Sequence, residues 1–129
     1  MPKKIIIVED NFIIQMFLEQ VLSGMGHEVV ASTDNGNDAL ALSERLSPDV
    51  ILLDIGLSGG QSGIELAGII NEEYDIPFVF LTGNSDKVTL EKAKDQNPLH
   101  IINKPIDEDK LKNEFAVVVK KLNKQRSSV

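Results

Sequence analysis

The sequence predicts an α/β domain in which a parallel sheet of five strands is covered by helices on both faces. Short apolar runs alternate five times with segments of helical period along the chain. The third run, residues 50–53, is apolar at every position, which is typical of a strand buried on both faces. Right-handed crossovers with one reversal of strand order then give a doubly wound sheet, with the first and third strands as neighbours.

The five predicted strands are short and rich in β-branched residues. The first, Ile5-Ile6-Ile7-Val8, stops at an acidic pair, and the fourth starts at Pro77. The fifth is the shortest and is followed by Lys104 and Pro105. We predict strands over residues 5–8, 28–33, 49–54, 77–82 and 99–102.

The predicted helices carry apolar residues at spacings of three and four, as in the first of them at Ile13, Met16 and Phe17. Gly24 and Gly26 end this helix, and Ser85 is the predicted cap of the fourth. Acids open the last helix and lysines close it, which suits the helix dipole. We predict helices over residues 12–22, 37–46, 64–70, 85–95 and 107–124.

Length and composition exclude several classes of protein. A chain of 129 residues suits one domain, which we place at 1–122, with a tail or linker at 123–129. Without cysteine it has no disulfide, thiolate metal site or cysteine nucleophile. No apolar run approaches the roughly 18 residues of a membrane span, and the apolar run of four before Glu9 is too short for a signal peptide. We therefore expect a cytoplasmic domain that binds no membrane.

The charge is unevenly distributed along the chain. Residues 5–86 contain 14 acids and a single base, Arg45, whereas residues 87–129 contain 10 bases and 6 acids. The first part therefore attracts cations and repels nucleic acid, so direct nucleic-acid binding is not expected. The basic last helix is either a solvated face or a contact surface for an acidic partner.

Polar side chains stand where the predicted strands end. Glu9 and Asp10 follow the first strand, Asp54 ends the third, Thr82 ends the fourth and Lys104 follows the fifth. Because the carboxyl ends of parallel strands share one edge of the sheet, three carboxylates converge there. A hard divalent cation would relieve their repulsion. Mg²⁺ suits such oxygen ligands, and Mn²⁺ would fit the same ones.

Three acids, a lysine and a hydroxyl in one place indicate phosphoryl chemistry. Asp54 could attack phosphorus and form an acyl phosphate. A metal ion and Lys104 would neutralise the charge on the phosphoryl oxygens, and the Thr82 hydroxyl could donate to one of them. His27 and His100 are assigned no function, the first lying in a glycine-rich turn and the second in a strand where it is expected to face solvent.

The chain resembles the receiver domain of two-component response regulators from about residue 4 to 121. The resemblance implies a flavodoxin-like (βα)5 fold with strand order 2-1-3-4-5. The motifs that carry it are Ile7-Val8-Glu9-Asp10-Asn11, Asp49-Val50-Ile51-Leu52-Leu53-Asp54, Gly63-Ile64-Glu65-Leu66-Ala67, Pro77-Phe78-Val79-Phe80-Leu81-Thr82-Gly83 and Lys104-Pro105.

The resemblance also implies the roles of the site residues. Asp54 would be the phosphoacceptor, Thr82 the switch hydroxyl and Lys104 the lysine that contacts the phosphate. Asp10 would bind Mg²⁺ directly and Glu9 mainly through water, with the backbone carbonyl of Gly56 as a further ligand. The Lys104-Pro105 peptide bond is expected to be cis.

Partners follow from the same resemblance. A histidine kinase or a histidine phosphotransfer protein would donate the phosphoryl group. The face formed by the fourth helix, fifth strand and fifth helix would bind a downstream protein, and it could also support a homodimer. The domain would promote its own dephosphorylation, at a rate influenced by Gly56 and Asn84.

Four features depart from the family pattern. Ile101 stands where an aromatic residue is usual, so the coupling of a turning ring to Thr82 is missing. Ser58 replaces a common proline in a loop that is one residue longer than usual and should be looser. Gly83 replaces a common alanine. Ile101, Ser58 and the longer loop support an alternative, a receiver-fold interaction module that is not phosphorylated, whereas the retained site residues argue against it.

The run at residues 77–83 is similar to the Pro-Phe-x-Phe-Ala-Thr-Gly signature of an atypical receiver subfamily that also lacks the switch aromatic. Leu81 and Asn84 depart from that signature. A flavin or nucleotide binder on the same fold is a third hypothesis. It is disfavoured because Glu9 and Asp10 would repel phosphate where a phosphate-binding loop should follow the first strand.

Overall fold

The structure is a computed structural model that describes residues 2–57, 62–83 and 87–127. It contains the five predicted strands, each within one residue of its expected bounds at either end. Every position of the third and fourth strands is buried, as predicted for central strands. The strands are β1 (Lys4–Val8), β2 (Glu28–Thr33), β3 (Val50–Asp54), β4 (Phe78–Thr82) and β5 (His100–Asn103).

A helix follows each strand. The first begins after Asn11, whose side chain caps it, and is followed by Gly26, which adopts a positive φ of 93°. None of the helices in the described ranges is both long and apolar enough to cross a membrane. The helices are α1 (Phe12–Gly24), α2 (Gly36–Leu46), α3 (Gly63–Glu73), α4 (Lys87–Asp95) and α5 (Glu108–Ser127).

All strand pairs are parallel, and the order is β2-β1-β3-β4-β5. This confirms the doubly wound, flavodoxin-like sheet predicted from the sequence. In register, Val8 lies beside Leu53 and Thr82 beside Asn103. The ends of β1 and β3 are therefore neighbours at one edge, and so are the ends of β4 and β5.

The sheet separates two apolar cores. Alternate residues of β1 point to opposite faces, so Ile5 and Ile7 enter one core and Ile6 and Val8 the other. The first core packs against α1 and α5, and the second against α2, α3 and α4. Helices therefore cover both faces of the sheet, as predicted.

The last helix is longer than the sequence predicts. Residues 125–127 lie beyond the predicted helix and continue α5, so the segment 123–127, which was expected as a tail or linker, is helical. A hydrogen bond connects this segment to the residue before β1. The side chain of Lys3 is buried, and its Nζ donates to Oδ1 of Asn123 at 2.8 Å. The burial of Lys3 could not be predicted from its neighbours in the sequence, because the residue that binds its side chain lies 120 positions away.

The two histidines have structural contacts. Nδ1 of His27 accepts a hydrogen bond from the backbone N–H of Lys3 at 3.1 Å, and its ring meets Phe115 edge to face. His100 was expected to face solvent, but in the structure it is partly buried. Its Nε2 lies 2.5 Å from a carboxylate oxygen of Glu114, and its Nδ1 lies 2.9 Å from Nζ of Lys121.

Candidate functional site

Three carboxylates meet at the carboxyl edge of β1 and β3. Glu9 and Asp54 are buried and Asp10 is exposed, and one oxygen of each lies within 4.8 Å of the others. Convergence follows from the parallel register, because Val8 and Leu53, their neighbours in sequence, are paired. The acidic group that the sequence predicts is therefore present, and its oxygen donors are of the kind that hard divalent cations prefer.

Lys104 completes the cluster from the end of β5. Its Nζ lies 3.2 Å from Oε2 of Glu9 and 3.2 Å from Oδ2 of Asp54. The backbone N–H of Lys104 donates to the carbonyl of Thr82 at 2.7 Å, and the bond to Pro105 is cis, as predicted. One ammonium group thus bridges two carboxylates that come from separate strands.

Glu9 is held through both its backbone and its side chain. Its N–H donates to the carbonyl of Thr33 at 3.0 Å, and its Oε1 accepts from the N–H of Asn11 at 3.1 Å. Nε2 of Gln15, one turn into α1, donates to the Glu9 carbonyl at 2.6 Å. Gln15 was missed in the sequence analysis, because its contact depends on how α1 is rotated about its axis.

Asp54 is fixed by the turn that follows it. Its Oδ1 accepts a hydrogen bond from the N–H of Gly56 at 3.0 Å. Gly63, the first residue of α3, donates its N–H to the carbonyl of Ile55. A Cβ on Gly63 would lie 2.2 Å from the Asp54 carbonyl oxygen. The start of α3 therefore approaches the end of β3 as closely as a glycine allows, a role that sequence reasoning also missed.

Thr82 and Ile101 lie on the two neighbouring strands β4 and β5. Thr82 ends β4 and is buried, with its carbonyl bonded to Lys104. Ile101 is partly buried and packs into the core beneath α3 and α4. Ser58, Asn84 and Ser85 lie outside the described residues, as does most of the loop that was expected to be loose.

The electrostatics of the cluster follow from burial. Burial first and the charge of Asp54 second raise the pKa of Glu9 from 4.5 to about 7. Burial alone would lower the pKa of Lys104, but attraction to Asp54 and Glu9 outweighs it and the pKa is raised. In the absence of a cation, the ionised form of Glu9 is therefore less stable in this cluster than in water.

The raised pKa of Glu9 predicts how the metal-free stability depends on pH. A folded pKa of about 7 against 4.5 unfolded makes a contribution that is fully present below 4.5 and is lost as pH rises through 7. We expect the free energy of unfolding in EDTA to fall from pH 5 to pH 8 by more in the wild type than in Glu9→Gln. Urea titrations of both proteins measure the difference, and parallel curves would contradict it.

The family of the chain follows from comparison with known sequences. The model of the response regulator receiver domain matches residues 5–116. The chain belongs to this family. It is the receiver domain of two-component regulators, and its acidic cluster of Glu9, Asp10 and Asp54 is consistent with the phosphoacceptor site of such domains.

The curated relatives share about a third of their residues with the chain over the aligned region. The chain is 31% identical over 104 residues to the transcriptional regulatory protein PdtaR of Mycobacterium tuberculosis, covering 81% of this chain and 50% of that protein. It is 32% identical over 107 residues to the phyllosphere-induced regulator PhyR of Methylorubrum extorquens, covering 81% and 39%. The receiver therefore corresponds to half or less of these regulators.

The fold is shared with a solved receiver. The signal receiver domain of a modulated diguanylate cyclase from Desulfovibrio desulfuricans G20 superposes with a TM-score of 0.86 at 30% identity, covering 97% of this chain and 99% of that one. These matches concern the receiver family as a whole. The resemblance to the atypical subfamily therefore stays a prediction.

Proposed function

We propose that this receiver takes a phosphoryl group from a phosphohistidine onto Asp54 and thereby changes its affinity for a partner protein. The observation that supports this best is the position of Lys104, whose Nζ is 3.2 Å from carboxylate oxygens of both Asp54 and Glu9. An ion pair that served only to stabilise a strand end would need a single acid beside the lysine. A lysine shared by two buried acids suits a site that must also hold phosphoryl oxygens.

The transfer is a substitution at phosphorus. An oxygen of the Asp54 carboxylate forms the new P–O bond, the P–N bond to the donor imidazole breaks, and that imidazole takes up a proton. The side chain of Asp54 is held by the Gly56 N–H on one oxygen and by Lys104 on the other, so its direction of attack is set before the donor arrives.

The donor set fits a hard divalent cation. Glu9, Asp10, Asp54 and the carbonyl of Gly56 would hold Mg²⁺ or, equally, Mn²⁺. When bound, the ion would neutralise charge on the phosphoryl oxygens. Lys104 would supply a second positive charge, and the hydroxyl of the buried Thr82 would donate to a phosphoryl oxygen.

The signal would leave the site through the segments attached to Thr82 and Lys104. The N–H of Lys104 is bonded to the Thr82 carbonyl, so a shift of either residue moves the ends of β4 and β5 together. Ile101 is packed against the core and would move with these strand ends, in the place where other receivers have a turning aromatic ring. The face formed by α4, β5 and α5 would then bind a downstream protein, or a second copy, differently.

The test is intact-mass analysis after incubation with acetyl phosphate and Mg²⁺. We expect the mass of one phosphoryl group to be added, and EDTA to prevent the addition. The adduct should be lost in hydroxylamine, as an acyl phosphate is. An unchanged mass would instead favour the receiver-fold interaction module that works without phosphorylation.

A further inference from the structure

An apolar groove adjoins the phosphoryl site. It has a volume of about 610 Å³, within the range of about 300–1,000 Å³ that is usual for small-ligand sites. One wall is the first half of α1, and the other is the segment around the Lys104-Pro105 bond. The lining residues are Ile13, Ile14, Phe17, Leu18, Gly83, Lys104, Pro105 and Ile106.

Lys104 belongs to both the groove and the acidic cluster. Its Nζ is directed to Glu9 and Asp54, whereas its aliphatic stem passes beside Gly83, where a Cβ would lie 3.7 Å from Cδ. Gly83 and Lys104 both line the groove, and because Gly83 has no side chain it places none between this stem and the groove. A molecule whose phosphoryl group lies at Asp54 can therefore extend directly onto apolar surface.

The groove also lacks charge that would reject an apolar group. Among the described residues that line it, Lys104 alone is charged, and α1 carries a single charged residue, Glu19. The exposed part of the α1 wall is apolar as well, since the side chain of Ile13 lines the groove and is 77% exposed. Burial against such a surface gives a chain of methylene groups a favourable free energy of binding, which a short polar molecule does not gain.

We propose that the groove holds the acyl chain of a small-molecule acyl phosphate, so that donors with a medium apolar chain phosphorylate Asp54 better than acetyl phosphate. This inference rests on the proposed function, because the donated group goes to the same carboxylate. It adds a substrate class to that site, the medium-chain alkanoyl phosphates, alongside protein donors.

The reaction balances without a further reagent. A carboxylate oxygen of Asp54 forms a bond to phosphorus, and the bond from phosphorus to the acyl oxygen breaks. The electron pair leaves with the alkanoate, so no proton or oxidant is required. The alkanoate chain remains in the groove, and its new negative charge lies on the side of Lys104.

Rates with two donors test the proposal. Hexanoyl and acetyl phosphate release alkanoates of similar basicity, so their intrinsic reactivity is alike and a difference reports the chain. We expect the second-order rate constant, measured by intact mass in Mg²⁺, to be about tenfold higher for hexanoyl phosphate, the gain from burying about two methylene groups. Equal rates would overturn the groove proposal and leave the proposed function standing. No phosphorylation by either donor would overturn both.

A matched pair of variants locates the effect. Ile13→Ser changes an exposed side chain that lines the groove, and we expect it to lower the ratio of hexanoyl to acetyl rates at least threefold. Val88→Ser changes an exposed valine on α4, outside the groove, and should leave both rates unchanged. An unaltered ratio in Ile13→Ser would contradict the proposal.

Binding can be followed without phosphorylation. In the absence of Mg²⁺, hexanoate should shift the amide resonances of Ile13 and Gly83, and acetate at the same concentration should not. Sedimentation tests the other occupant, a second copy of this chain. Self-association that Ile13→Ser abolishes would show that the groove serves a dimer, and would overturn the small-donor proposal.

Discussion

Asp54→Asn should abolish the gain of one phosphoryl group from acetyl phosphate and Mg²⁺. The amide has almost the shape of the carboxylate, and its oxygen can still accept from the N–H of Gly56, but it cannot act as the nucleophile. The change also removes the second largest cause of the raised pKa of Glu9, the charge of Asp54. The metal-free variant should therefore fold at least as well as the wild type, so lost labelling reports chemistry and not unfolding.

Asp95→Asn is the matched control, because it removes an exposed acid on α4 away from the cluster. It should take up phosphate at the wild-type rate. Full labelling of Asp54→Asn, with the group mapped to another residue, would contradict the assignment of the acceptor. Equal binding of a partner to phosphorylated wild type and to Asp54→Asn would instead favour the interaction module.

Gly63→Ala should disturb both the fold and the site. The new Cβ would lie 2.2 Å from the carbonyl oxygen of Asp54 and 2.8 Å from Cα of Ile55, and both are backbone atoms that cannot rotate away. Either α3 or the end of β3 must shift, at a cost of about 1–3 kcal/mol or more. Since β3 carries Asp54, we also expect a slower reaction with acetyl phosphate. Urea unfolding and intact mass measure the two effects.

Gly68→Ala, in the same helix, should have the opposite effect on stability. The three atoms nearest to its Cβ would all belong to the side chain of Gln96, the closest being Oε1 at 3.4 Å, and that side chain can move. Alanine is better than glycine in a helix by about 1 kcal/mol, so a gain of roughly half that is expected. If Gly63→Ala were as stable as Gly68→Ala, the prediction that α3 is too close to β3 to accept a Cβ would be contradicted.

The place of the site could be predicted because it depends on few facts. Alternation of strands and helices gives a parallel sheet, and the carboxyl ends of its strands share an edge. Glu9, Asp54 and Lys104 each adjoin a strand end, so sequence position alone brings them together. Their chemical roles rest on the family resemblance and on the experiments above.

Contacts that depend on helix rotation could not be predicted in the same way. The bond from Gln15 to the Glu9 carbonyl requires the phase of α1 about its axis, which apolar spacing gives only approximately. The contacts of His100 with Glu114 and Lys121 could not be predicted either, because both partners lie on α5 and the sequence defines the rotation of that helix no better. The role of Gly63 is steric and leaves no chemical mark in the sequence.

The bond between Lys3 and Asn123 brings the two ends of the described chain together. They meet at the edge where the strands begin, about 17 Å, one five-residue strand, from the acidic cluster. A short flexible linker between them should permit circular permutation, with new ends opened at the exposed turn around Asn97 on that same edge. A fluorophore attached near either end of the described residues would likewise lie away from the edge that receives the phosphoryl donor.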